Sequence, residues 1–164
     1  MEASRAEGGG YLDTSRLSPG EYMGMAAGVV LVLSLWLPWF TTSADNVHSR
    51  LGGASGGDGV NAWHVFSTLD ILLVLAGTAP FVLSWIIARG HKLTWRPGEI
   101  TMIVGITAFA LIIINGVIFG KPGTVDIEFR YGYFVGLLGA LLICTGGVLR
   151  QAEGGRTRKA PGTL

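Results

Sequence analysis

The chain has 164 residues, 49% of them hydrophobic and only 14% charged, with a mean hydropathy of +0.50. A soluble domain carries roughly 25% charged residues, so the composition excludes an ordinary water-soluble fold. The net charge of +1 excludes strong attraction to nucleic acid. The single cysteine, Cys144, excludes an intrachain disulfide and any CxxC motif.

Residues 1–20 are polar and Gly-rich and are predicted to form a disordered tail. Ser18-Pro19-Gly20-Glu21 then reads as a helix start, with a capping hydroxyl, a proline suited to the first turn and an acid near the positive end of the dipole. The first apolar run is longer than the core of a secretory signal and is read as an uncleaved span, about 22–40. Gly24 and Gly28 form a GxxxG pair that lets another helix approach. The run ends in Trp36-Leu37-Pro38-Trp39-Phe40, followed at once by polar Thr41-Thr42-Ser43. Indole rings at such a border are expected at the membrane–water interface, and Pro38 is expected to end the helix there.

Residues 41–68 form the longest connection. Its Gly-rich centre, Leu51 to Gly59, reads as a flexible tip. Trp63 and Phe66 lie three apart and are expected on one face of a short interfacial helix that leads into the second span and folds onto the mouth of the bundle, beside Trp36 and Trp39. The second span, about 69–88, opens with Asp70, contains a kinking Pro80 and carries Trp85 as an anchor at its far end. A basic hinge follows, from Arg89 through Trp95 to Gly98, suited to anionic lipid. The third span, about 99–119, carries Asn115 deep in the run and a second GxxxG, Gly116 and Gly120. After a polar reversal at Lys121-Pro122-Gly123, alternation through Val125, Ile127 and Phe129 suits a brief extended segment. The fourth span, about 132–150, has a small-residue ridge at Gly132, Gly136, Ala140 and Cys144 and is expected to be central. Residues 151–164 form a basic tail, predicted to be disordered.

The fold class is therefore all-α, an integral membrane four-helix bundle over 21–150 with a long first outer loop. Four spans place both tails on one side. That side holds nine Lys and Arg residues and the other three, so the tails are expected in the cytoplasm.

Asp70 reads first as a helix-start carboxylate at headgroup depth, and second as an ion or proton site, because intramembrane acids are costly. Asn115 reads first as an interhelical hydrogen-bonding group and second as pore lining. His48, Asp58, His64 and Asp70 match no metal-ligand spacing. No HExxH, GxSxG or P-loop pattern occurs, and no catalytic set shares one depth, so no enzyme and no cofactor are expected.

The Trp36–Phe40 end of span 1, the Ala62-Trp63…Phe66…Asp70 approach to span 2 and the Gly-rich last span resemble small four-span proteins of high-GC Gram-positive bacteria, described only as hypothetical membrane proteins. The resemblance implies a bacterial plasma membrane and no activity. The architecture is also similar to claudin-like proteins, but the first loop lacks their cysteine pair. The expected role is a structural or accessory subunit, surrounded by membrane lipids and packed against itself or other membrane proteins. The alternative is an oligomeric channel or transporter protomer using Asp70 and Asn115.

Overall fold

The computed structural model describes residues 13–90 and 96–156. A 3-10 turn, Thr14–Arg16, precedes helix α1, Pro19–Ser34. Strand β1, Pro38–Thr41, is followed by β2, Gly59–Asn61, and a short helix α2, Ala62–Val65. Helix α3 spans Leu69–Ala88 and α4 Pro97–Ile113, running on into a π turn, Ile114–Ile118. Strand β3, Glu128–Phe129, leads into α5, Tyr131–Arg156.

The described chain is mostly helical. Three helices are long and apolar enough to cross a membrane: Leu69–Ala88, Gly98–Ile118 and Tyr131–Glu153. Helix α1 is apolar but has only 16 residues. Helix α5 packs most extensively on α1 and α4, α1 also packs on α3, and α3 on α4.

Small residues permit these approaches. A Cβ at Gly28 would collide with the Gly77 carbonyl of α3. One at Gly139 would sit 2.9 Å from the Leu31 nitrogen, and one at Gly116 2.5 Å from the Tyr133 ring. Gly24 faces Pro80, which lies inside an unbroken α3. Gly132 and Gly136 lie under Trp39, and Ala140 is fully buried. At the terminal end, Glu21 joins two elements. It accepts the Ser18 N–H (2.7 Å), completing the helix start, and pairs with Arg150 of α5 at 2.7 Å.

Several expectations need correction. The first helix stops at Ser34 rather than near Phe40. Pro38 cannot donate a backbone bond, and the chain turns into β1. The all-α class therefore gains a three-stranded antiparallel sheet, ordered β2-β1-β3, with Phe40 opposite Val60 on one side and Phe129 on the other. Proline is tolerated there because it is the first strand residue. The alternation near 125–130 survives only as the two-residue β3. The expected α-helix to 119 changes to π geometry at Ile114. Gly120 is not a packing glycine: its φ is +84° and nothing lies near its Cβ position. The tail expected from 151 continues α5 to Arg156. The Gly-rich tip is built of defined turns, with Leu51 and Ala54 exchanging backbone bonds at 3.1 and 2.8 Å. Trp95, most of the basic hinge and the expected tails at 1–12 and 157–164 lie outside the described residues.

Candidate functional site

The residues between the helices build an ordered cap over one end. Its foundation is aromatic. Trp39 and Phe40 are both 0% exposed, so the border stretch is core rather than headgroup anchor at those two positions. The Trp39 indole N–H donates to the Ser34 carbonyl at 2.7 Å, beside the Leu37 N–H that donates to the same oxygen at 3.0 Å. Its ring meets Phe66 at 6.1 Å and Tyr133 at 5.7 Å, both edge-on. Phe40 meets Phe66, Phe129 and Tyr133 within 5.6–6.1 Å. The Phe66 pair is edge-on and the other two are tilted; aromatic pairs are each worth about 0.5–1.5 kcal/mol beyond burial.

Trp36 and Trp63 behave differently. Their rings meet at 5.4 Å, tilted by 53°, but stay 57% and 38% exposed. Trp85, at the far end of α3, is also exposed, with the Arg89 guanidinium 3.9 Å over its ring. The segment 59–66 is fixed by Asn61, whose side chain accepts the His64 N–H and so caps α2. The Ala62 N–H donates to the Leu35 carbonyl (3.2 Å), tying the segment to α1.

The two long connections hold each other. The Ser49 hydroxyl donates to the Asp126 carbonyl (3.1 Å), the Arg50 N–H to Thr124 (3.0 Å), and Asn46 to the Asp126 carboxylate. Lys121 donates to the Ile127 carbonyl at 2.6 Å. The Arg130 N–H donates to the Trp39 carbonyl at 2.8 Å, locking the start of α5 to β1. An open cavity of about 640 Å³ remains in the cap surface, lined by Trp36, Asp58, Asn61, His64, Arg130 and Tyr131 among others. It offers one exposed indole face, one acid, one guanidinium and an imidazole. The His64 Nδ1 lies 2.7 Å from the Asn61 side-chain oxygen.

Beneath the cap lies Asp70. It is 1% exposed, and both carboxylate oxygens lack a hydrogen-bond partner among the described residues. Asp70 does stand in the first turn of α3, as the helix-start reading has it; what is corrected is its exposure to headgroups, since the side chain is buried within the protein. Asp70 lies on the buried stripe of α3 with Leu73, Gly77, Pro80 and Ser84, and Thr68 provides no side-chain cap. A heptad-like spacing carries it inward. Asn115 is also corrected: its amide donates to the Leu111 carbonyl of its own helix (2.9 Å), not across to a neighbour. His48, Asp58 and His64 stay exposed while Asp70 is buried, and no group of three metal-ligating side chains forms among the described residues.

Sequence reasoning missed the sheet and the burial of Trp39, Phe40 and Asp70. The signal for Asp70 was present in its seven-residue spacing from Gly77. The chain matches no protein-family model, no curated protein and no solved structure.

Proposed function

We propose that this chain is a four-span plasma-membrane protein that serves as a structural or accessory subunit, with its cap as the surface offered to a partner. Helix α1 is about 24 Å long at 1.5 Å per residue, short of a hydrocarbon core of about 30 Å. Leu35–Leu37 continue the run as a turn and Pro38–Phe40 as strand; Leu35, Trp39 and Phe40 are buried while Trp36 stays exposed, and the turn and strand hydrogen bonds satisfy backbone groups within the protein. The charge bias then puts both tails in the cytoplasm and the cap outside. The resemblance noted above supports a bacterial plasma membrane.

One observation carries the accessory reading. The small-residue faces are consumed inside the chain, while the cap is ordered and carries an open groove. The sides of the helices expose Leu75, Val82, Ile106, Phe134 and Leu138, large apolar groups suited to lipid tails rather than to close helix docking. A partner subunit, or a second copy, therefore meets the cap. Affinity purification from native membranes tests this. The wild type is expected to bring down a stoichiometric partner that is lost on Trp36→Ala with Arg130→Glu. Retention of the same partner by that variant, or recovery of the chain alone as a monomer, contradicts the reading.

A second reading, an oligomeric channel or transporter protomer, is favoured by the buried, unpartnered Asp70. Flux into liposomes holding the pure protein, abolished by Asp70→Asn, would favour it over the first.

A further inference from the structure

We infer that the end of α3 away from the cap is a site for one anionic phospholipid, its phosphate at Arg16 and Arg89 and an acyl chain along the Trp85 side of the helix. The inference rests on α3 crossing a membrane, and on neither the accessory reading nor the cap. It begins from how α3 stops. Gly90 takes the left-handed conformation, φ +75°, that ends a helix. Its N–H donates to the Ile87 carbonyl at 2.9 Å. The turn at Thr14–Arg16 folds back onto this end, and the Asp13 N–H before it donates to the Ala88 carbonyl at 2.9 Å. That contact delivers Arg16: a Cβ at Gly90 would collide with the Arg16 guanidinium. Arg89, the residue before Gly90, holds its own guanidinium 3.9 Å over the Trp85 ring. Two arginines distant in sequence thus gather at one helix C-terminus, whose partial negative charge favours cations.

Arg16 supplies the hydrogen bonds. Its side chain is 52% exposed, and its Nε is engaged by the Asp13 carboxylate at 3.0 Å. Its terminal nitrogens have no hydrogen-bond partner among the described residues, and a guanidinium fork matches two phosphate oxygens. The Asp13 pair is exposed and screened, so it competes weakly. Arg89 adds a second positive charge, positioned by the indole. Trp85 is itself exposed at the end of an apolar span, which places its ring at headgroup depth. From there the helix surface is an apolar track. Val82, Trp85 and Arg89 follow the i, i+3, i+7 spacing of one face, Phe81 lies one turn before Trp85, and both Phe81 and Val82 are exposed. A free phosphate would meet the cations alone, whereas a phospholipid meets the cations and the track. The site differs from the diffuse attraction expected of the basic hinge, because Arg16, Arg89 and Trp85 define a single place.

The test uses the full chain, delipidated in uncharged detergent. Native mass spectrometry counts the lipid retained as phosphatidylglycerol or phosphatidylcholine is titrated in. The wild type is expected to saturate at one phosphatidylglycerol per chain and to hold phosphatidylcholine about tenfold more weakly. Arg16→Gln, Arg89→Gln and Trp85→Ala should each weaken phosphatidylglycerol binding about fivefold. Arg96→Gln, at an exposed charge on the same side of the membrane, should leave it unchanged. Millimolar inorganic phosphate should not displace the lipid. Equal retention of the two lipids, or no saturation at one, overturns the site, and this wild-type titration decides the matter even if a variant fails to fold. An equal loss in Arg96→Gln overturns it too, because net charge alone then attracts the lipid. Displacement by phosphate overturns the lipid assignment, since the track then contributes nothing. Undiminished binding in any of the other three variants removes that residue and overturns the site as stated. The readout involves neither the cap nor a partner, so this inference and the accessory reading fail separately.

Discussion

Replacing Trp39 by alanine separates a core indole from an interfacial one. Trp39 is 0% exposed. A buried tryptophan removes on the order of 200 Å² from solvent, which at about 25 cal/mol per Å² is about 5 kcal/mol. That lies at the upper end of the range of about 3–5 kcal/mol measured for Trp→Ala in cores. The substitution also strips the Ser34 carbonyl of its indole donor and leaves Phe66 and Tyr133 without a ring between them. Trp63, 38% exposed, serves as the control. Its removal loses the single tilted ring contact with Trp36 and is expected to cost about 1 kcal/mol. Thermal unfolding in detergent, where no bilayer is present to anchor into, reads the difference. At roughly 2–4 °C per kcal/mol for a chain of this size, Trp39→Ala should lower Tm by about 10 °C and Trp63→Ala by only a few degrees. Equal shifts would mean that both indoles act alike, and the cap would lose its foundation.

Gly136→Leu should destabilise far more than Leu138→Ala, because a Cβ at Gly136 would lie 2.7 Å from the Trp39 ring while Leu138 is 52% exposed; equal melting temperatures would contradict that packing. Arg150→Ala leaves buried Glu21 without its cation and should cost about 2 kcal/mol, whereas Arg96→Ala, at an exposed and longer pair, should be near neutral in the same chemical unfolding series. Topology reporters fused at residue 55 and at residue 164 should read opposite sides of the membrane; the same side for both would exclude an even number of spans with the cap outside.

The length of the second span was legible to the residue, since the eighteen uncharged residues between Asp70 and Arg89 leave little choice of helix ends. The glycines of α1 and α5 also announced close approach, because spacing by four fixes a face without tertiary knowledge. The stretch Trp36–Phe40 misled for a physical reason. Aromatic residues at an apolar-to-polar border suit lipid headgroups and a packed sheet equally well. What decided between them was pairing with Val60 and Phe129, residues some twenty and ninety positions away. Asn115 could not be read at all, because the choice between its own Leu111 carbonyl and a neighbouring helix depends on the π turn. Asp70 was visible as an unusual acid, and its seven-residue spacing from Gly77 was the signal that puts it on the buried stripe of α3.

The most direct test of the cap as the working surface is photo-crosslinking in living cells. A photoreactive residue is placed at Trp36, at His64 or at Leu138, one at a time. The two cap positions are expected to give a discrete crosslinked protein band, of one partner or of a second copy, and the Leu138 position lipid alone. A discrete protein band at Leu138 with none at Trp36 or His64 would contradict the account and move the partner surface to the sides of the helices.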